Sequence, residues 1–251
     1  MRPGEDDLSV KRLRELALRA SHREETCFTR FLDPALEDAA LRAAAQSGVR
    51  AMLWGGYEDA ERRVCAFYPD APPERDQYPL CCIGVRWNEK FASPGHRDVL
   101  GAVMGLGLDR ECVGDVAMCR EGACVFVHPD VTAYVLSAMD SVGRAGVRLE
   151  CLDRCPEILP PQGEEFRVTV SAMRMDAILA AGYRLSRAEA QRMISAGLVK
   201  HNHAEELRGD CRVEQGDLLS VRGMGRLKIV CLEGETKKGR LGITLFRYGR
   251  K

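Results

Sequence analysis

Between Cys155 and Gly163 the chain reads Cys-Pro-Glu-Ile-Leu-Pro-Pro-Gln-Gly, and neither a helix nor a central strand can run through it. Each proline lacks a backbone donor and holds φ fixed, and it biases the residue before it towards extended conformations. The segment therefore reads as a linker, and the chain must fold as separate bodies on either side of it. Its 251 residues suit about two or three small domains in series.

The two sides differ in charge. From Glu165 to Lys251 there are 17 Lys and Arg against 10 Asp and Glu, while the remainder holds 20 against 27. The net charge of zero thus hides a basic end on an acidic body, the pattern of a polyanion-binding module. Charge alone does not choose between RNA, DNA and anionic lipid. A composition of 45% hydrophobic and 29% charged residues has the profile of a soluble globular chain. No apolar run approaches the length of a membrane span. The start, Met1-Arg2-Pro3-Gly4-Glu5-Asp6-Asp7, lacks the basic and apolar parts of a secretory signal, so a cytoplasmic location is expected.

The 11 cysteines form no C-x-x-C pair. Cys81 and Cys82 are adjacent, Cys119 and Cys124 are five apart, and Cys151 and Cys155 are four apart. A zinc ribbon, a redox motif and a disulfide framework are all poorly supported, and most of these thiols read as small buried hydrophobes. No cofactor and no metal site is expected; His201 and His203 alternate on a strand without a third ligand.

The expected fold class is α+β. Residues 1–48 read as a helical segment, with an amphipathic helix over Asp7–Arg30 and a second helix over Ala35–Gln46. Asp33-Pro34 should cap the second helix and Gly48 should close it. Residues 49–160 read as an α+β domain: strands at Val49–Trp54, Arg62–Tyr68, Leu80–Trp87 and Val147–Leu152, with a hairpin over 114–128. Helices at His96–Leu106 and Asp130–Asp140 interleave with them. A strand over Phe166–Val170 could still belong to this middle domain. His96, Asp98, Asp115, His128 and Asp130 invite an enzymatic reading, but Asp98 and Asp130 fall at helix starts, where a capping task is the simpler one.

Residues 165–251 carry the functional signal. Arg174-Met175-Asp176 opens a short helix, and Ser186-Arg187-Ala188-Glu189 starts a second with a capping-box pattern. A cation in that first turn opposes the helix dipole, which makes sense beside a phosphate. Gly197-Leu198-Val199 with Asn202, then Gly216-Asp217 with Val221, mark strands. Arg222-Gly223-Met224-Gly225-Arg226-Leu227-Lys228 is a basic loop, and Lys237-Lys238-Gly239-Arg240 a basic turn.

In this order Arg174/Asp176, Ser186/Arg187, Gly197/Val199/Asn202 and Gly216/Asp217/Val221 resemble the S4 RNA-binding domain. His203 stands where that family often has Gly. The stretch His96–Leu108 with Arg110–Asp115, and the ending Arg222–Lys228, Thr236–Arg240 and Arg247-Tyr248, are similar to the bacterial YlmH family. That resemblance implies a helical N-terminal segment, an RRM-like middle domain and a C-terminal S4 domain of αL type. It also implies binding of ribosomal RNA and tRNA on stalled large ribosomal subunits, in rescue of interrupted translation, with an older association with cell division.

Arg174, Arg187, Arg192, Lys200, Arg222, Arg226 and Lys228 are the expected phosphate contacts, since Arg grips phosphate oxygens in a fork. Ser186, Gln191, Asn202, Lys237, Lys238 and Arg240 complete the expected RNA-binding face, with Asp176 orienting Arg174 or capping the helix rather than touching RNA. Gly223 and Gly225 could let backbone N–H groups approach the same phosphates. No catalytic residue is assigned. The enzymatic rival is an RNA-modifying enzyme of pseudouridine-synthase type with an S4 appendage, in which the S4 module precedes the catalytic domain. Here it comes last.

Overall fold

A computed structural model describes residues 5–90, 92–236 and 239–249. The chain divides into two compact units between Leu159 and Pro160.

The first unit begins with α1 (Glu5–Arg23), β1 (Cys27–Phe31), α2 (Glu37–Gln46), β2 (Arg50–Trp54) and β3 (Val64–Tyr68). Leu13, Ala17 and Ala20 form the buried stripe of α1, and Ala39, Ala40, Ala43 and Ala44 that of α2. Such small residues let both helices lie close on a sheet. The first helix is shorter than expected. Glu24 turns left-handed at φ 53, and Cys27 to Phe31 follow as a strand whose burial alternates with period two. Asp33 does cap the next turn, accepting the Ala35 N–H at 3.1 Å.

The three strands pair antiparallel in the order β1-β3-β2. All five residues of β3 are buried. Cys65 and Phe67 pack under the two helices, while Val64 and Ala66 face the other way. The division expected at residue 48 falls between β1 and β2, which flank the same strand. The change of texture at Val49 marks the end of a helix packed on that sheet, with the sheet continuing on both sides of it.

The first unit continues with β4 (Cys81–Trp87), α3 (His96–Gly105), β5 (Val113–Cys119), β6 (Gly122–Val127), α4 (Pro129–Ala138), β7 (Ser141–Val142) and β8 (Ala145–Leu152). These strands form an antiparallel sheet in the order β5-β6-β4-β8-β7. One face, with Ile83, Val85, Val125 and Val127, is covered by Val99 and Val103 of α3 and Val135 of α4. The other, with Cys82, Ala117, Cys124 and Phe126, packs on Phe31, Val64 and Ala66. The layers run helix, sheet, sheet, helix. At α4 the cap is His128, whose Nδ1 accepts the Asp130 N–H at 3.3 Å, because Pro129 occupies the first helical position. Asp130, the expected cap, pairs with Arg30 at 3.1 Å.

A polar latch joins the sheets. The Arg62 guanidinium donates to the carbonyls of Phe31 and Val113 at 3.1 Å each and of Arg110 at 3.2 Å. Asp115 accepts the N–H groups of Glu61 at 2.6 Å and Arg62 at 3.1 Å and the Tyr57 hydroxyl at 3.0 Å.

The second unit holds β9 (Gly163–Val170), α5 (Met175–Tyr183), α6 (Arg187–Ser195), β10 (Val199–His201), β11 (Ala204–Glu205), β12 (Leu218–Val221), β13 (Gly225–Glu235) and β14 (Leu241–Tyr248). Its antiparallel sheet has the order β11-β10-β12-β13-β14-β9. β9 pairs with β14 from Gly163↔Tyr248 to Val170↔Leu241, so the strand around Phe166 belongs to this unit and not to the middle domain. Both helices cover one face. Ile178 and Leu179 of α5 and Ala190 and Ile194 of α6 join Val199, Leu219, Val221, Leu227, Ile229, Ile243 and Leu245 in one core. The approach is close at Gly182, where an added Cβ would lie 2.4 Å from Leu227 Cδ1. Among the described residues no helix is long and apolar enough to cross a membrane.

Candidate nucleic-acid interface

The two helices of the second unit meet at their N-terminal ends around Asp176. The N–H groups of Met175 and Asp176 are taken by the carbonyls of Cys211 at 3.0 Å and Gly209 at 2.9 Å, which anchors the start of α5. Asp176 is buried, and its carboxylate grips Arg174 in a fork, Nε to Oδ1 at 3.1 Å and Nη2 to Oδ2 at 2.9 Å. Arg187 approaches the same carboxylate at 3.9 Å and reaches Ser171 Oγ at 3.4 Å. One buried anion thus aims two exposed guanidinia, and each keeps further N–H donors for an external acceptor.

Ser186 and Glu189 form the expected capping box. Ser186 Oγ accepts the Glu189 N–H at 3.2 Å, and the Glu189 carboxylate accepts the Ser186 N–H at 2.8 Å. Its hydrogen bonds hold the Glu189 carboxyl below its ordinary range. Ser186 is therefore engaged in the helix start. Gln191 packs on the loop before β12, since a Cβ on Gly209 would collide with its Oε1. Arg192 is exposed, but it lies about 140° around α6 from Arg187.

Asn202 has an architectural task. It adopts φ 46, and His203 follows at φ 72, so the turn between β10 and β11 is left-handed without glycine. The strain is held by hydrogen bonds: Asn202 Oδ1 accepts the Leu218 N–H at 2.9 Å, and its Nδ2 donates to Asp217 at 2.7 Å. Asp217 also meets His201 Nε2 at 2.7 Å and accepts the Glu214 N–H at 2.8 Å. Burial works against the Asp217 charge, yet the bonds from Asn202, Glu214 and His201 outweigh it and hold its carboxyl below the usual value of 3.8. A carboxyl lowered in the folded state contributes stability that is complete above its unfolded pKa and is lost as pH falls through the folded one. Acidification from about pH 5 to pH 3 is thus expected to destabilise the wild-type chain more than Asp217→Asn. Chemical denaturation at several pH values measures this, and parallel pH dependences would refute it.

Register sorts the remaining cations onto the other face of the sheet. Lys200 pairs with Ser220, Ser220 with Arg226, and Leu218 with Lys228, all opposite in parity to the core residues Val199, Leu219, Leu227 and Ile229. Phe246 is the partner of Lys228, and Tyr248 lies two residues further on the same face. The Arg226 guanidinium stacks 4.5 Å from the centre of the Tyr248 ring, which meets Phe246 edge-on at 5.0 Å. Cations beside partly exposed aromatics suit both phosphates and unstacked bases. The aromatic pair was missed in the sequence reading, although its signal was present as two aromatics at strand spacing in β14.

Arg222 is exposed in the turn between β12 and β13. The Arg240 guanidinium donates to the Thr169 carbonyl at 2.6 Å. Lys237 and Lys238 lie outside the described residues. The expected single cationic face is therefore two groups. Arg174 and Arg187 stand together at the helix starts, with Arg192 further round α6. Lys200, Arg226 and Lys228 stand on the sheet surface that the helices leave uncovered. The His201 ring is committed to Asp217 and, at 3.8 Å, to Cys211.

Residues 5–70 match the family segment described as "YlmH, N-terminal", and residues 73–154 match the one described as "Putative RNA-binding domain in YlmH". The chain is 35% identical over 221 residues to ribosome-associated protein quality control protein P2 of Bacillus subtilis (strain 168), across 87% of this chain and 86% of that protein. In fold it is similar to the cell division protein ylmH from Streptococcus pneumoniae. The TM-score is 0.50 at 22% identity, over 61% of this chain and 93% of that one.

Proposed function

The chain belongs to the YlmH family, and from that membership we propose that it is a non-enzymatic RNA-binding protein that acts at the ribosome. Its targets are structured ribosomal RNA and tRNA on stalled large subunits, in quality control of interrupted translation, and its place of work is the cytoplasm. The second unit is the gripping module, of S4 type, and the middle of the chain is an RRM-like second contact. The observation that carries this reading is the pair Arg174 and Arg187, aimed from two helix starts by the buried Asp176. Fixed guanidinia suit the phosphates of folded RNA, which are recognised by shape and spacing more than by base identity.

The Bacillus subtilis relative's name supports the ribosomal setting, and the matched RNA-binding segment supports RNA as the ligand. The carboxylates that invited an enzymatic reading have architectural work: Asp98 accepts the Gly95 N–H at 2.8 Å, and Asp115 holds the loop at Glu61 and Arg62.

The Streptococcus pneumoniae protein is named for cell division, which favours a second reading in which the partner is a division-site protein. Sedimentation of cell extracts, with and without a stalling treatment, separates the two. The protein is expected in the large-subunit fraction, enriched on stalling. Its absence there under stalling would overturn the ribosomal reading.

A further inference from the structure

Linear spacing hides a group of thiols in the first unit whose members come from four places in the chain. The Sγ atoms of Cys82, Cys124 and Cys155 all lie within 4.8 Å of one another. Cys119 Sγ lies 3.5 Å from Cys124 Sγ.

Register explains the convergence. Gly84 and Ala117 are the partners of Cys124, so Cys82 and Cys119, each two residues from one of those partners, share its face of the sheet. β8 ends at Leu152, the partner of Cys82. The chain then turns back over this face. Ile158 bridges to Cys119, and the Leu159 N–H donates to the Met118 carbonyl at 2.8 Å, with Cys155 carried between. Cys82 and Cys124 are buried, whereas Cys119 and Cys155 are partly exposed, which leaves a path for an ion to enter.

A tetrahedral zinc with bonds of about 2.3 Å to sulfur sets its ligands about 3.8 Å apart. Cys119 and Cys124 stand 3.5 Å apart, close to that value, and Cys82, Cys124 and Cys155 lie within 4.8 Å of one another; Cys119, now 3.7 Å from the Ala117 carbonyl, must turn towards Cys82 and Cys155 to complete the set. Buried hydrophobic cysteines do not need to point their sulfurs at one another.

We propose that Cys82, Cys119, Cys124 and Cys155 bind one zinc ion, which pins the segment after β8 to the hairpin of β5 and β6. Each thiol releases its proton to solvent as its sulfur takes the ion, so binding weakens with acid. The site is structural, because all four positions are filled by protein.

The test is titration of the reduced, chelator-stripped, full-length protein with cobalt chloride, followed by zinc chloride. One equivalent of cobalt is expected to give sulfur-to-cobalt charge transfer and the intense red-region bands of a tetrahedral site, both erased by zinc. Cys155→Ser lies outside the sheet and spares the core. It is expected to weaken cobalt binding by about a hundredfold or more, beyond the loss that a merely supporting group causes. Cys231→Ser, in the other unit, is expected to bind like wild type. A folded, reduced wild-type protein without the cobalt bands overturns the site. So does a Cys155→Ser variant with unchanged affinity, or anaerobically purified protein carrying the visible absorption of an iron–sulfur cluster.

Discussion

Reversing Arg187 and Arg192 to glutamate is expected to weaken binding of structured RNA by roughly a hundredfold at physiological salt and to reduce the salt slope by about two. Each cation that neutralises a phosphate releases counterions and contributes about 0.9 to the slope on a duplex. A hydrogen bond to a charged group contributes roughly 1.5–3 kcal/mol, so losing two at the low end already gives this factor. The fold should survive. Glutamate in the first turn of α6 suits the helix dipole better than Arg187 does, but it faces the buried Asp176, and glutamate for Arg192 in the last turn opposes the dipole, so a small loss of stability accompanies the change. The measurement is RNA affinity over a salt series, with a thermal melt as control. Affinity and slope that match wild type would remove α6 from the interface and leave Arg174 and the sheet group to carry binding.

Arg62→Met should have the largest effect on stability, a loss of roughly 3–5 kcal/mol. Burial lowers the Arg62 pKa to about 10, so it remains a cation at neutral pH. What it supplies is donors. Three backbone carbonyls, of Phe31, Arg110 and Val113, converge on it from different elements, and methionine removes its donors from all three, leaving Val113 only its bond from the Arg110 guanidinium. Lysine does not rescue the site, because one ammonium cannot reproduce the planar fork. A chain of this size typically has about 5–15 kcal/mol of stability in total. The melting temperature should therefore fall by about 10 °C or more. A melt within about 2 °C of wild type would mean that the latch is not what joins the two sheets.

What the sequence disclosed was set by the range of the interactions. Two caps were legible because donor and acceptor lie within a turn of each other, Asp33 with Ala35 and Ser186 with Glu189, whereas at α4 the cap falls on His128 and not on the expected Asp130. The helix and strand pattern from Val49 onward followed the same local logic. Features that depend on a distant partner were not legible. Cys27 to Phe31 is a strand because β3 lies beside it, and β9 joins the second unit because β14 offers it a full-length partner. At the interface, the pairing of Asp176 with Arg174 was one of two tasks the sequence left open for that carboxylate, the other being a helix cap. The separation of the cations into two groups was not legible, since it depends on strand parity and on which face the helices cover. Asn202 was expected on the RNA-binding face from its place in the S4-like motif; its side chain is engaged by Leu218 and Asp217, residues that only the folded turn brings near.

The two family segments that together match residues 5–154 meet near residue 71, yet β3 is packed on both sides. A fragment ending at that seam would carry Phe31, Val64 and Ala66 into water, and its complement would bare Ala117 and Phe126. Evolutionary modularity and mechanical independence therefore part company here: the recognisable pieces are inherited side by side, but neither is a shell that can close on its own.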